Sequence, residues 1–162
     1  MVIRKAIQLH NHILMYCKNE KFYTEDGTVE FSDNIGMPMR EGLRLVHNTL
    51  VGLNIREEIK LGCAGRIISA FDIARCISLG ADWCNSARGF MFSLGCIQSR
   101  SCHTDHCPTG VATQDSLRQT ALNVKDKSFR VKNFHSNTLK ILAEMISAAG
   151  LKSIKDINQD LI

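Results

Sequence analysis

Ile59-Lys-Leu-Gly-Cys-Ala-Gly65-Arg66-Ile-Ile-Ser69-Ala-Phe-Asp72-Ile-Ala-Arg-Cys-Ile-Ser-Leu-Gly80-Ala-Asp-Trp-Cys-Asn85-Ser-Ala87-Arg88-Gly89 decides the fold. Ile59, Leu61 and Cys63 alternate with Lys60 and Gly62, the period of a strand. Gly65 and Arg66 turn the chain out of it. Ser69, followed three residues later by Asp72, has the form of a capping box at a helix N-terminus. Ile73, Ala74 and Ile77 supply the buried stripe of that helix, and Gly80 stops it. The pattern then repeats: Ala81 to Asn85 forms a second short strand, Ser86 to Gly89 turns, and Phe90, Met91 and Leu94 line a second helix. Strand, glycine turn and helix, taken twice, is the alternation of an α/β protein with a parallel sheet.

Upstream, Pro38 suits the first turn of a helix, where its missing N–H is harmless. Leu43, Val46, Leu50 and Leu53 then recur on one face, and Gly52 and Asn54 mark its end. His47 lies beside that stripe and is assigned a packing role. Residues 21–36 hold Asp26-Gly27, Ser32, Asp33, Asn34 and Gly36 and read as loop. Ile3, Ile7, Ile13 and Leu14 recur at roughly helical spacing, so residues 1–20 are expected to form a marginal amphipathic helix. His10 and His12, two apart, do not share a helix face and read as surface residues. Downstream, Thr113 to Leu122 is expected to be a short helix. Asp126 is expected to cap a long helix whose stripe is Phe134, Thr138, Ile141, Leu142, Met145, Ile146 and Ala149, closed by Gly150.

Composition narrows the function classes. The net charge of +4 comes without a long Lys/Arg run, and aromatic residues make up only 6%. That excludes an obvious nucleic-acid surface. Arg4 and Lys5 precede an apolar run broken by Gln8, His10, Asn11 and His12, a poor secretory signal and far too polar to span a membrane. The seven cysteines are therefore read as reduced, cytoplasmic thiols, for which metal or redox chemistry is the common use.

Three of those cysteines stand together in Cys96-Ile-Gln-Ser-Arg-Ser-Cys102-His-Thr-Asp-His-Cys107-Pro108. Thiolates at short spacing, with proline after the last, are a habit of iron–sulfur ligation. Zinc is the rival, because His103 or His106 could complete a four-ligand site. Cys17, Cys63, Cys76 and Cys84 lie scattered through predicted elements and are assigned to packing. Trp83 is read as core, and Glu57 and Glu58 as a solvated edge. The two glycine turns are a second candidate site. A turn at the carboxyl end of a strand, leading into a helix, aims backbone N–H groups and the helix dipole at one place and suits an anion. Arg66 and Arg88 can add charge-assisted bonds.

Gly62-Cys-Ala-Gly-Arg-Ile-Ile-Ser-Ala-Phe-Asp-Ile-Ala-Arg75, Leu79-Gly-Ala-Asp82, Ser93-Leu-Gly-Cys-Ile-Gln98, Cys102-His-Thr104 and Cys107-Pro-Thr-Gly-Val-Ala-Thr-Gln-Asp115 resemble the C-terminal part of the FMN-binding domain of glutamate synthases. The likeness is best to the short FMN-binding glutamate-synthase-like proteins and runs from about Glu30 to Leu151. It implies the C-terminal fragment of a (β/α)8 TIM barrel, the last two βα units, followed by a cysteine-rich cluster loop and a C-terminal helical segment. The implied organisation is an atypical N-terminal segment at 1–29, barrel units at 30–95, the cluster loop at 96–113 and helices at 114–162. The resemblance implies that Cys96, Cys102 and Cys107 ligate a 3Fe-4S cluster. It also implies that Gly65, Arg66, Ala87 and Arg88 line the FMN phosphate. The implied parent reaction reduces 2-iminoglutarate, made from 2-oxoglutarate and ammonia, to glutamate, with electrons from ferredoxin or a pyridine-nucleotide-oxidising partner.

A complete barrel takes about 250 residues, and the family's earlier strands, with the flavin-ring and 2-oxoglutarate contacts, have no counterpart. Nor is there an N-terminal Cys nucleophile or a glutaminase domain. The chain is thus expected to be a truncated or split gene product, incomplete for catalysis alone, with the missing barrel portion as a potential partner chain. Two alternatives stand beside that expectation: a non-catalytic iron–sulfur electron-transfer remnant, and a zinc-binding structural module using Cys96, Cys102, Cys107 and a histidine.

Overall fold

The computed structural model describes the backbone of residues 12–16 and the chain from 38 to 161. Its centre is a parallel sheet of three strands, β1 (His12–Tyr16), β2 (Lys60–Ala64) and β3 (Trp83–Asn85), in the order β1-β2-β3. In register, His12 stands opposite Lys60 and Tyr16 opposite Ala64, while Cys63 stands opposite Cys84. Helix α1 (Met39–Gly52) lies between β1 and β2 in the chain, and α2 (Ala70–Ser78) between β2 and β3. Helix α3 (Arg88–Leu94) follows β3. A short helix, α4 (Ser116–Gln119), and a long one, α5 (Val124–Ala148), complete the chain before two short 3-10 turns.

The strand at 12–16 corrects the helix expected over residues 1–20. Ile-Leu-Met-Tyr is a continuous apolar run with a β-branched and an aromatic member. Such a run suits a parallel strand covered on both faces better than an amphipathic helix. The rest of that expected helix, the loop expected at 21–36, and His10 and Cys17 lie outside the described residues. The alternation around β2, α2, β3 and α3 is as the sequence implied, although β3 starts only at Trp83.

The principal core lies between α1, the sheet and α2. Leu43, Leu50, Leu61, Cys63, Ile67, Cys76 and Ala81 are buried there, with Met39, Val46, Ile55 and Cys84 packed against them. Leu53, assigned to the α1 stripe, is 62% exposed because the helix ends before it. Trp83 is half-buried, and its indole lies over Gly62, where an added Cβ would stand 2.5 Å from the ring. A second cluster joins α2 to α5 through Ala70, Ala74 and Leu142. Phe90 of α3 meets Phe134 of α5 edge-on, with ring centroids 5.2 Å apart.

The capping box of α2 is present in full. Ser69 Oγ accepts from the Asp72 N–H, and Asp72 Oδ2 accepts from the N–H groups of Ser69 (3.0 Å) and Ile68 (3.2 Å). Replacing Ser69 with alanine removes one half of this exchange and is expected to cost about 1 kcal/mol. A shift in the denaturant midpoint checks it, and an unchanged midpoint would show that the cap is dispensable. For α5 the sequence reading needs correction. Asn123, not Asp126, is the cap: its side chain accepts from the Asp126 N–H, and Asp126 occupies the first turn. Either residue type can cap, and the hydrogen-bonded position decides. The short helix expected over 113–122 contracts to Ser116–Gln119, capped by Asp115 through the Leu117 and Arg118 N–H groups.

Candidate functional site

Both glycine turns leave the carboxyl ends of adjacent parallel strands, so they stand side by side. Ser86 Oγ ties them together by donating to the Ile67 carbonyl at 2.7 Å. In the first turn, Gly65 has φ +128° and Arg66 φ +49°. Glycine meets the first value without strain, whereas a left-handed arginine is held there by its surroundings. In the second turn, Ala87 precedes α3 and its side chain caps nothing. Alanine is among the poorest N-cap residues, so the first N–H groups of α3 receive no side-chain acceptor from that position. Gly89 brings the start of α3 close in: an added Cβ would lie 2.6 Å from the Phe134 ring and 3.0 Å from the Ile68 carbonyl oxygen. Arg66, Ala87 and Arg88 are exposed and Gly65 is half-buried. A 350 Å³ pocket beside the first turn is lined by Met39, Arg40, Gly65, Arg66, Asp72 and Cys76.

Helix α3 ends at Gly95, in the left-handed region, and Cys96 follows at once with its N–H donating to the Met91 carbonyl at 3.0 Å. The loop from there to Cys107 is tightly wound, with Gln98, Arg100 and Asp105 all at positive φ. Its far end is closed by Asp105, which accepts from the Gln114 N–H, while Thr113 Oγ1 donates to the Asp105 carbonyl at 2.6 Å. Sequence reasoning did not single out Asp105 or Thr113.

Cys107 is the most built of the three thiols. It is buried, and its sulfur lies 3.5 Å from the Thr109 hydroxyl. That hydroxyl is the main influence holding the thiol down to about 7. Burial opposes it, and the backbone N–H groups of Ala112, Thr109 and Val111 act with it. Convergent N–H donors favour a sulfur that carries negative charge, the form that binds metal. Cys96 is half-buried and Cys102 exposed, and none of the three is in a disulfide. Among the described residues, no three Cys, His, Asp or Glu side chains converge in a metal-holding arrangement. The three thiols match an iron–sulfur centre in donor type, and Cys107 also in its N–H environment, but they are not gathered around one point. His103 and His106, the candidate zinc ligands, are exposed.

His47, assigned to packing, has a partner of its own. Its Nδ1 accepts from Arg56 Nε at 3.1 Å, and its ring presses against Gly80.

Fold and site define an α/β protein whose paired turns and cysteine loop follow successive elements of one parallel unit. The sequence model of a conserved region in glutamate synthase matches residues 24–152, and the chain belongs to the glutamate synthase family. It is 36% identical to the glutamate synthase large subunit-like protein YerD of Bacillus subtilis, over 90% of this chain and 29% of YerD. A ferredoxin-dependent glutamate synthase from Cyanidium caldarium is 33% identical over 78% of this chain and 8% of its own length. The NADH glutamate synthase of Saccharomyces cerevisiae is 30% identical over 75% of this chain and 6% of its own. A match over 90% of the chain necessarily reaches into residues 1–29. The chain spans less than a third of each of these relatives.

Proposed function

We propose that this chain is the part of a glutamate-synthase-like oxidoreductase that holds the FMN phosphate and a 3Fe-4S cluster. Cys96, Cys102 and Cys107 would ligate the cluster, and Gly65, Arg66, Ala87 and Arg88 would line the phosphate. When bound, FMN supplies hydride transfer and the cluster supplies one-electron relay. The observation that carries the reading is the buried Cys107 sulfur among N–H donors, a few residues beyond two anion-suited turns. Gly65 lets the backbone approach an anion closely, Arg66 and Arg88 add positive charge, and Ser86 keeps the two turns together. The parallel order β1-β2-β3 suits consecutive strands of a (β/α)8 barrel, whose last two βα loops commonly bind phosphate.

The activity of the whole is the reduction of 2-iminoglutarate, from 2-oxoglutarate and ammonia, to glutamate. Its electrons come from ferredoxin or a pyridine-nucleotide-oxidising partner. The remaining barrel strands would be needed for turnover, and a cytoplasmic setting keeps the thiols reduced. Anaerobic purification followed by iron, acid-labile sulfide and flavin analysis tests the reading. Iron, sulfide and FMN together are expected. Iron and sulfide without flavin would reduce the chain to an electron-transfer remnant. Colourless protein, or protein carrying zinc, would overturn the cluster assignment.

A further inference from the structure

A second group of thiols lies on the sheet, away from the cysteine loop. Cys63 in β2 and Cys84 in β3 are register partners on adjacent strands, so their side chains emerge on the same face. Cys76, from α2, is buried in the same core cluster as Cys63, and Cys84 packs against that cluster, its sulfur 4.0 Å from the carbonyl of Ile73 in the same helix. Met39 completes the group, with its sulfur 3.0 Å from Cys63 Sγ and 4.0 Å from Cys76 Sγ. None of the three cysteines is in a disulfide. The three thiols thus share one core cluster with a methionine sulfur. Cys76 is almost fully buried, yet it lines the 350 Å³ pocket beside Gly65, a space larger than a small oxidant.

We propose that Cys76 and Cys84 are a reversible dithiol–disulfide pair that responds to hydroperoxides. In the first step the Cys76 thiolate attacks hydrogen peroxide, giving the sulfenic acid and hydroxide. In the second, the Cys84 thiol displaces water from that sulfenic acid and the sulfur–sulfur bond forms. The proton lost from Cys76 and the proton of Cys84 leave in water. Overall, two thiols lose two electrons and peroxide becomes two waters. The Cys76 thiol is pulled well down, first by the Cys63 thiol and then by Cys84, with Arg40 assisting against burial and Asp72. That favours the nucleophilic form. Cys84, rather than Cys63, is assigned as the resolving partner because of its exposure and its place at the sheet edge. Cys63 sits in the central strand and is engaged by Met39. Cys84 is half-buried on a strand paired on one side only among the described residues, and its sulfur lies 4.0 Å from the Ile73 carbonyl. The pair needs no cofactor, although the pocket it opens to is the one beside the proposed phosphate turn.

Tryptic cleavage makes the test direct, because the Arg75 and Arg88 sites place Cys76 and Cys84 in one peptide, 76–88, and Cys63 in another, 61–66. The full chain as purified, with whatever it carries, is exposed to hydrogen peroxide, quenched in acid, unfolded, alkylated and mapped by mass spectrometry. Peptide 76–88 is expected to lose both alkylation sites and become lighter by two hydrogens, with dithiothreitol restoring it. In C84S, Cys76 is expected to be trapped by dimedone as the sulfenic acid, and C63S should still form the bond. The proposal is overturned if both thiols in peptide 76–88 remain alkylatable, or if Cys76 is found linked to peptide 61–66.

Discussion

Replacing Arg56 with alanine is expected to destabilise the protein by about 3 kcal/mol. Arg56 sits in a 3-10 turn just before β2, with its side chain only 13% exposed. Its guanidinium donates to four acceptors: His47 Nδ1 at 3.1 Å, the Ile59 carbonyl at 2.7 Å, the Gly80 carbonyl at 2.8 Å and Asp82 Oδ2 at 2.9 Å. These groups belong to α1, the entry to β2 and the α2–β3 turn, so one side chain fastens three segments. Truncation leaves two carbonyls and a ring nitrogen without that donor, each costing about 1–3 kcal/mol where water cannot reach. Water does reach part of the cluster: Asp82 is 25% exposed and keeps the Leu61 N–H and Lys60. The expected cost is therefore well below the sum. Arg56→Lys should recover only part of the loss, because a single ammonium cannot span the positions of a planar fork.

The same cluster predicts how the loss varies with pH. Partial burial alone would raise the Asp82 carboxyl, but the Leu61 N–H, Arg56 and Lys60 outweigh it and hold it below its ordinary 3.8. A carboxyl depressed in the folded state contributes stability that is complete above the unfolded value and lost as pH falls through the folded one. His47 is depressed too, chiefly by burial and then by Arg56, against Asp82. Its contribution is complete above 6.5 and lost as the pH falls and the ring is forced to charge. The gap between parent and Arg56→Ala should therefore be widest near neutrality and narrow below pH 3.8, where the parent loses the Asp82 pairing as well. Urea titrations at several pH values measure it. A gap under about 1 kcal/mol at every pH would place the cluster among ordinary surface ion pairs.

What the sequence disclosed and what it concealed separate along a physical line. The Ser69–Asp72 box, the stop at Gly80 and the two βα turns depend on residues a few positions apart, and local chemistry fixes them. The N-cap of α5 lies three residues before the expected Asp126, because Asn123 and Asp126 are both competent caps and local pattern does not rank them. Four adjacent apolar residues in β1 satisfy either period, and only the pairing with β2 decides for a strand. Arg56 reaches Gly80 and Asp82, 24 and 26 positions away, and Cys63 meets Cys84 through sheet register, neither of which a linear pattern displays. In the cysteine loop the residue types announced metal or redox chemistry. The path of the chain did not follow from them, since Gln98, Arg100 and Asp105 adopt positive φ without being glycine.

Gly80→Ala carries the other large expected effect, about 4 kcal/mol, and it separates two causes that usually act together. The first is conformational: Gly80 has φ +106°, where a side chain is strained by about 1–2 kcal/mol. The second is steric: an added Cβ would lie 2.1 Å from His47 Nδ1 and 2.3 Å from its Cγ. Overpacking of that kind costs about 1–3 kcal/mol, and moving the ring also disturbs the bond it accepts from Arg56. A comparison with Gly150→Ala isolates the first cause, because Gly150 also has positive φ, +73°, but nothing lies within 4 Å of its added Cβ. That variant should lose only the conformational part. Adding His47→Ala to Gly80→Ala should recover the steric part, so a double-mutant cycle between the two positions should show a coupling of about 1–3 kcal/mol. If Gly80→Ala proved as mild as Gly150→Ala, the close approach of the His47 ring to the α2–β3 turn would be wrong. The hold of Arg56 on that ring would then be wrong with it.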